Sequence, residues 1–313
     1  MSMTQTRRDL IQSALALGTM RAQAAAWKPK LGIYCRYSPA NFAFAAQEGF
    51  NCVQIALGGG LPHEATDEQV AEVKRNVESA KLAIVALGGP GNHFDPKFQQ
   101  RFVKSIELAG RLGARFIGGS SGAIAGQPLD RQVQAIVKLY ETQYFAACEK
   151  HKVRILWEPH VNPFNIATNP IAFAALLRAF NNSPYVGIQM DPSHFAWQMI
   201  DPVAAVREFA THIYNVHLKD TEILWPLVHR GGIQPVDNAK WWRFRLPGSG
   251  SIDWKGFFTA LADAGYSGGL NIENEDQFYY PNYDGSNFTE QFKEGYRIAH
   301  AYVRQFVPPG STR

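Results

Sequence analysis

Short apolar runs alternate with longer amphipathic segments along most of the chain. Apolar runs of about four to eight residues are typical of strands, whereas apolar positions three and four residues apart indicate helices. The predicted strands cover residues 31–37, 52–57, 82–87, 115–119, 153–158, 186–191, 213–218 and 269–273. The clearest predicted helices cover residues 67–80, 97–112, 129–151, 170–180, 202–211, 254–264 and 288–306.

Eight strands joined by helical crossovers favour a (β/α)₈ TIM barrel. The alternative is a doubly wound parallel sheet. Against that alternative, no predicted strand is followed by a G-x-G-x-x-G turn. Residues with metal-binding side chains are also spread over four strands of the second half, which suits a barrel mouth.

Four of the predicted strands end on or near a residue that binds hard divalent metals. Active sites of parallel barrels lie at the carboxyl ends of the strands, so these side chains should converge at the mouth. Three carboxylates and one imidazole suit Mn²⁺, Mg²⁺ or Co²⁺ better than a closed structural zinc site. The four predicted ligands are Glu158, Asp191, His217 and Glu273.

Three basic side chains accompany the predicted ligands. Residues i and i+2 of a strand share a face, so His160 should point the same way as Glu158, and Lys219 the same way as His217. His194 follows the strand end by a few residues and can turn back over the mouth. We therefore expect His160 to act in acid–base chemistry, and His194 and Lys219 to contact a substrate.

Lys219 has an alternative interpretation as an ion-pair partner of Asp220 or Glu222. Two further acidic residues, Glu275 and Asp276, follow the last predicted strand and are expected to lie in solvent.

One connection, residues 221–251, is long and has little periodicity. Long loops in compact barrels are usually functional or disordered, and this one is too aromatic for simple disorder. We interpret it as a lid that covers the mouth, with Trp241, Trp242, Arg243 and Arg245 as candidate substrate contacts. The alternative is a loop that contacts another subunit, and a homo-oligomer is left open.

The composition argues against nucleic acid as the main partner. The chain has 313 residues, 46% of them hydrophobic, and a formal net charge of only +4. It has no dense Lys/Arg block of the kind that nucleic-acid binding needs. The three cysteines are far apart and odd in number, so we interpret Cys35, Cys52 and Cys148 as buried small hydrophobes rather than a disulfide framework.

The first residues differ from the rest of the chain. Arg7-Arg8 precedes a short apolar stretch, 10–20, and Ala22-Gln23-Ala24 follows it. A basic, apolar and small-residue order is typical of an export signal, and the paired arginines favour the twin-arginine route to the periplasm. The alternative is a frayed helix of a cytoplasmic protein. The predicted organisation is a signal-like segment, 1–26, and one barrel domain with the lid, 27–313.

The apolar stretch is too short to cross a bilayer, which takes about 20 residues. No other stretch is predicted to be transmembrane, so the processed protein should not be held in a membrane.

An ordered set of motifs resembles the xylose isomerase-like barrels, over roughly residues 31–306. This superfamily holds sugar isomerases, sugar epimerases, inosose dehydratases and apurinic endonucleases. The motifs are Trp157-Glu158-Pro159-His160, Asp191-Pro192-Ser193-His194, His217-Leu218-Lys219-Asp220, Pro247-Gly248-Ser249-Gly250-Ser251-Ile252-Asp253-Trp254 and Ile272-Glu273.

Similarity to the ketose 3-epimerase branch implies roles for individual residues. It implies one divalent ion, Mn²⁺ foremost with Mg²⁺, Co²⁺ or Zn²⁺ as alternatives, held by the four predicted ligands. It implies that Glu158 and Glu273 also move the proton, and that His194 binds substrate. An arginine before the Pro-Gly-x-Gly motif matches either Arg243 or Arg245.

The predicted activity is therefore that of a metal-dependent sugar isomerase or epimerase. A divalent ion polarises a carbonyl, the α-hydrogen becomes acidic, and an enediolate follows. The alternative is a 3-keto-glycoside lyase or hydratase, in which the same first step leads to elimination or addition of water. A glycoside-sized substrate suits the aromatic lid and export from the cytoplasm.

Two other classes fit less well. A non-catalytic sugar-binding barrel would not need two opposed carboxylates at a metal. An apurinic endonuclease would need additional histidines, for which His63 and His93 are the candidates. A small sugar or keto-glycoside is thus the predicted partner.

Overall fold

The chain folds as a closed barrel of eight parallel strands. The structure, a computed structural model, describes residues 27–280 and 285–312. The barrel strands are β1 (Lys30–Arg36), β2 (Cys52–Ala56), β3 (Ala83–Gly88), β4 (Phe116–Gly119), β5 (Arg154–Trp157), β6 (Val186–Met190), β7 (Ile213–Leu218) and β10 (Gly269–Ile272). They run around the ring in the order β1-β10-β7-β6-β5-β4-β3-β2. The predicted (β/α)₈ barrel is confirmed, and the alternative of a doubly wound open sheet is wrong.

Helices surround the barrel, and many begin at a capping side chain. Thr66 and Gln69, for example, form a reciprocal capping box at the start of the helix Asp67–Ser79. The predicted single helix over 129–151 is two helices, because the backbone departs from helical geometry at Tyr144, with φ −117°. The helices are α1 (Pro39–Gln47), α2 (Asp67–Ser79), α3 (Pro96–Leu112), α4 (Leu129–Gln143), α5 (Phe145–His151), α6 (Pro170–Ala179), α7 (Pro192–Ala196), α8 (Pro202–Phe209), α9 (Trp225–Gly231), α10 (Trp254–Asp263) and α11 (Glu290–Val303).

The predicted lid contains regular structure that its sequence did not indicate. Two short strands, β8 (Asp220–Ile223) and β9 (Trp242–Arg245), pair antiparallel, and α9 lies between them. The loop that returns to the barrel is tied down by Asp220, whose buried carboxylate accepts hydrogen bonds from Gly248 N, Gly250 N and the Trp254 indole. A Cβ at Gly250 would overlap that carboxylate, which explains why the turn needs glycine.

The export segment, the cysteines and the helices give three further comparisons with the sequence predictions. The export segment 1–26 lies outside the described residues and remains a prediction. The cysteines Cys35, Cys52 and Cys148 are all buried and unpaired, as predicted. Within the described parts of the chain, no helix is both long and apolar enough to span a bilayer.

Candidate metal centre

The four predicted ligands converge at the carboxyl end of four adjacent strands. Glu158, Asp191 and Glu273 follow directly after β5, β6 and β10, and His217 is the fifth residue of β7. These strands are neighbours in the ring, in the order β10-β7-β6-β5. One ligand atom of each side chain lies within 4.8 Å of those of the others. The strand ends thus bring together a donor set of three carboxylates and one imidazole.

The cluster contains two buried polar atoms that lack hydrogen bonds. His217 Nδ1 lies 3.0 Å from Glu158 Oε1, 3.1 Å from Glu273 Oε2 and 3.9 Å from Asp191 Oδ2. Although these are ion-pair distances, neither His217 Nδ1 nor Asp191 Oδ2 has a hydrogen bond of acceptable geometry. Unsatisfied buried polar atoms are rare and call for a partner. Since both atoms belong to the same cluster of metal-ligating groups, the residues fit a divalent cation.

A layer of buried amides lies beneath the cluster inside the barrel. His217 Nε2 is 2.9 Å from Gln54 Oε1, and Gln189 Nε2 donates to Glu158 Oε2 at 3.0 Å. Gln54 Nε2 donates in turn to Gln189 Oε1 at 2.9 Å. Because Gln54 Oε1 can only accept, His217 donates its Nε2 hydrogen to it, and Nδ1 is the nitrogen that would bind an ion in exchange for its own proton. Such outer partners set the tautomer and orientation of metal-binding histidines.

Replacing Gln54 with leucine is expected to weaken binding of the divalent ion by about 10–100-fold, because His217 loses the acceptor that fixes its tautomer. Gln54→Glu keeps an acceptor oxygen and should restore most of the affinity. Calorimetric titration with Mn²⁺ measures both. Gln99→Leu is the control, since Gln99 bonds the backbone of His93 away from the cluster. Equal affinity in Gln54→Leu and the wild type would remove Gln54 from this role.

Lys219 is buried beside the carboxylates of the cluster. Its Nζ lies 2.6 Å from Glu273, 2.9 Å from Glu275 and 3.1 Å from Asp191. Burial alone would lower the pKa of Lys219, but these carboxylates outweigh it and raise that pKa well above the ordinary value. Burial opposes charge on His217 in the same way, and Glu273 and the other neighbouring acids raise its pKa to about 10. Lys219 is therefore a fixed positive charge at the site, and neither Asp220 nor Glu222 is its partner.

The two predicted mouth histidines lie side by side. Their ring centroids are 5.0 Å apart, His160 being exposed and His194 buried. His194 Nε2 lies 3.5 Å from Asp191 Oδ2. Burial and the nearby Lys219 charge lower the pKa of His194 well below its usual value, so it is neutral. The structure thus places His160 at the solvent side of the mouth and His194 against the cluster.

The lid residue that reaches His194 and Lys219, beside the cluster, is Phe244, which the sequence did not single out. Its ring lies 5.2 Å from the His194 ring and 4.4 Å from Lys219 Nζ. Trp242 stacks on Trp197 at 4.7 Å and has Lys240 Nζ 3.9 Å from its ring centroid, so little of its face is free.

The other lid candidates are held within the protein. Trp241 is buried and donates its indole hydrogen to Ile233 O. Arg243 Nε donates to Glu222 at 2.8 Å, and Arg245 contacts the same carboxylate. Arg245 also pairs at 2.8 Å with Asp276, which is fully buried. The expectation that Asp276 lies in solvent is therefore wrong, because this residue fastens the lid to the end of β10.

The early histidines are not part of the metal cluster. His93 is fully buried among aromatic rings, and its Nδ1 lies 3.0 Å from Tyr144 Oη. Burial lowers the pKa of His93 to about 3, so it is a neutral core residue. His63 Nδ1 is 2.6 Å from Ser105 Oγ. Neither histidine extends the cluster in the manner that the endonuclease alternative requires.

The chain belongs to the xylose isomerase-like TIM barrel family, whose model matches residues 42–298. The resemblance inferred from the motifs is thereby confirmed. Among similar sequences, the uncharacterized protein YfiH of Bacillus subtilis is 28% identical over an alignment of 278 residues that covers 74% of this chain and 87% of YfiH. An inosose dehydratase of Klebsiella pneumoniae is 28% identical over an alignment of 193 residues that covers 56% of this chain and 62% of that enzyme.

Solved structures with the same fold include two sugar epimerases. The 3-keto-D-glucoside 4-epimerase of E. coli has a TM-score of 0.65 at 16% identity, covering 89% of this chain and all of that one (100%). The D-allulose 3-epimerase of a Methylomonas species has a TM-score of 0.62 at 21% identity, covering 90% and 98%. At these low identities, the similarity to the two epimerases shows a shared fold and nothing about activity.

Proposed function

We propose that this protein is a divalent-metal-dependent enzyme that isomerises or epimerises a keto sugar by moving a proton at the carbon next to the carbonyl. One observation carries the proposal. Glu158 and Glu273 lie on either side of His217 Nδ1, at 3.0 and 3.1 Å, and stand at the two ends of a run of four adjacent strands. Two carboxylates that flank one centre can serve the two faces of a substrate bound between them.

The proposed roles follow from what each side chain contacts. The ion, when bound by Glu158, Asp191, His217 and Glu273, supplies Lewis-acid polarisation of the carbonyl. One of the two glutamates takes the proton from the carbon next to the carbonyl, and the electron pair of the broken C–H bond moves toward the carbonyl oxygen. Lys219 provides positive charge beside that region. Return of a proton from the other face inverts the carbon, whereas return to the neighbouring carbon isomerises the sugar.

Solvent exchange tests this proposal directly. The Mn²⁺-loaded protein is incubated in D₂O with a panel of ketoses and 3-keto-glucosides, and the products are assigned by NMR. We expect deuterium at the carbon next to the carbonyl in at least one substrate, and no exchange after EDTA treatment. Binding without any metal-dependent exchange would instead indicate a sugar-binding barrel.

A second candidate is a 3-keto-glycoside lyase or hydratase. It is supported by His160, which lies at the solvent side of the mouth 5.0 Å from the His194 ring, where it can protonate a departing oxygen or activate water. The similarity to an inosose dehydratase supports the same reaction class. The NMR panel separates the candidates, since elimination releases the aglycone or water and produces an alkene, whereas epimerisation keeps every atom of the substrate.

We propose Mn²⁺ as the ion. The donor set of three carboxylates and one imidazole is rich in oxygen, and carboxylate ligands suit Mn²⁺ and Mg²⁺. The imidazole favours Mn²⁺ over Mg²⁺. Metal analysis of the protein as purified from its native source tests this choice.

The lid is proposed to contact the substrate through Phe244. Phe244→Ala should raise KM about tenfold with the metal retained, because an aromatic face stacks on a sugar ring and excludes water. Trp225→Ala is the matched control, since Trp225 belongs to the same lid but is half exposed on α9. An unchanged KM in Phe244→Ala would favour the alternative of a subunit-contact loop.

We also propose that the protein is exported folded to the periplasm. The support is the Arg7-Arg8 pair, the apolar stretch 10–20 and Ala22-Gln23-Ala24. Mass spectrometry of the native protein is expected to find a mature start at residues 25–27. An intact start at Met1 or Ser2 in the cytoplasmic fraction would contradict it, and Arg7→Lys with Arg8→Lys should block export.

A further inference from the structure

A second cavity lies at the end of the barrel opposite to the metal centre. Its volume is about 740 Å³, and it is lined by the first residues of several strands, among them Lys30, Phe116, Tyr214 and Gly269. Glu273 lies four positions after Gly269, the first residue of β10, which is about 13 Å at 3.3 Å per residue. The cavity is therefore separated from the proposed catalytic site by the barrel interior. Its volume falls in the range of small-molecule sites.

The charged side chains that line this cavity are mostly cationic. Four cationic side chains line it, and Glu149 is the only carboxylate among the lining residues. None of the four forms an ion pair with another residue of 27–280 or 285–312. The cations are Lys30, Arg115, Lys152 and Arg154. Converging unpaired cations produce a positive potential that attracts anions.

Arg154 is held in place at the wall of the cavity. Its guanidinium lies 3.6 Å from the centroid of the Tyr214 ring, and its Nε donates to Pro184 O at 2.6 Å. The Tyr214 ring lies against Gly187, where a Cβ would overlap it. The Nε hydrogen bond and the ring fix the guanidinium at the cavity wall. A pre-positioned guanidinium without an ion-pair partner among the described residues is suited to an oxyanion.

We propose that this cavity is a binding site for an organic phosphate. Phosphate matches the cations in charge and accepts paired hydrogen bonds from a guanidinium. The cavity is much larger than a phosphate group, and the rings of Phe116, Tyr185 and Tyr214 provide apolar surface for the rest of the molecule. The site would therefore hold a metabolite-sized phosphate ester away from the sugar substrate.

The test uses the full chain freed of metal with EDTA, so that phosphate cannot bind through an ion at the other end. Pyrophosphate, ADP, fructose 1,6-bisphosphate and citrate are titrated by calorimetry at 150 mM NaCl. We expect at least one phosphate ester to bind, and more tightly than citrate. Arg154→Gln and Arg115→Gln should each weaken that binding about tenfold, the usual effect of losing one charge-assisted hydrogen bond.

Arg131→Gln is the matched control, because Arg131 is an exposed arginine on α4 outside the cavity. Arg115 is exposed, so its variant keeps the test valid if Arg154→Gln fails to fold. Binding of no phosphate ester overturns the proposal. Equal weakening by Arg131→Gln also overturns it, since general surface charge would then explain the binding. Citrate binding as tightly as the phosphate esters overturns the assignment to phosphate.

Discussion

Glu273→Gln and Glu158→Gln are each expected to lower turnover by about 10²–10⁴-fold, the range that general acid–base groups contribute. The amide is nearly isosteric and keeps one oxygen for the metal, but it cannot accept the proton from carbon. Glu273 is the more sensitive position, because Lys219 Nζ lies 2.6 Å from its carboxylate and would face a neutral amide after the change. Steady-state kinetics and solvent deuterium exchange measure the effect, with metal content determined for each variant.

The control for these two variants is a carboxylate that lies near the site but is not one of the four predicted ligands. Glu275 lies 2.9 Å from Lys219 Nζ and is not a member of the metal cluster, so Glu275→Gln is expected to keep metal and most of the turnover. Full activity in Glu273→Gln with metal bound would show that Glu273 binds the metal but does not move the proton. Loss of activity only in step with loss of metal would lead to the same conclusion.

The barrel could be predicted because its strands are buried and periodic. Each predicted strand has a counterpart in the ring, with ends that differ by at most one residue. The lid was harder to predict. Strands β8 and β9 are only four residues each, and their pairing depends on contacts such as that of Asp220 with the 248–250 turn. Such contacts are distant in sequence and leave no local periodicity.

The convergence of the four predicted ligands could be predicted because strand ends in a barrel converge, whereas the residues that support them could not. Gln54, Gln189 and Asn215 lie within apolar strands, where a single polar residue gives no indication of its partner. Asn215 Nδ2 donates to Gln54 Oε1 at 2.6 Å across 161 residues of sequence. The sequence does contain one indication of this layer, because a polar residue inside an apolar strand is unusual. Buried amides need hydrogen-bond partners, so three such residues in core strands indicate that they bond to one another or to the site.

The packing of the lid residues could not be predicted for a related reason. Trp241 and Trp242 are the larger aromatic residues, and size favoured them in the sequence. Side chains alternate between the two faces of a strand, so Trp242 and Phe244 share a face of β9. The ring of Trp242 stacks on Trp197, whereas the ring of Phe244 contacts His194. The sequence shows that this strand is aromatic, but not which neighbours each ring packs against.

Removal of the metal is expected to abolish turnover and to lower the thermal stability of the protein. Three carboxylates of the cluster lie close together and are mostly buried, with His217 and Lys219 as the cations beside them. A bound ion would offset the repulsion among the carboxylates. By mass action it stabilises the folded state by about 4 kcal/mol when free metal is 1,000-fold above its Kd. Dialysis against EDTA, followed by calorimetry and activity assays, measures both effects, and added Mn²⁺ or Co²⁺ should restore them.

The ligand assignment is tested by removing one donor at a time. Asp191→Ala should lose the metal-dependent rise in Tm, because Asp191 Oδ2 is one of the two buried atoms without a hydrogen bond. Ser193 holds the other oxygen of this carboxylate through its backbone N and its Oγ, at 2.9 and 2.7 Å. Oδ2 is thus the carboxylate oxygen that would bind an ion. Glu275→Gln should keep the rise in full. If Asp191→Ala binds Mn²⁺ with unchanged Kd while Glu275→Gln loses it, Glu275 holds the ion and the four-residue cluster is not its site.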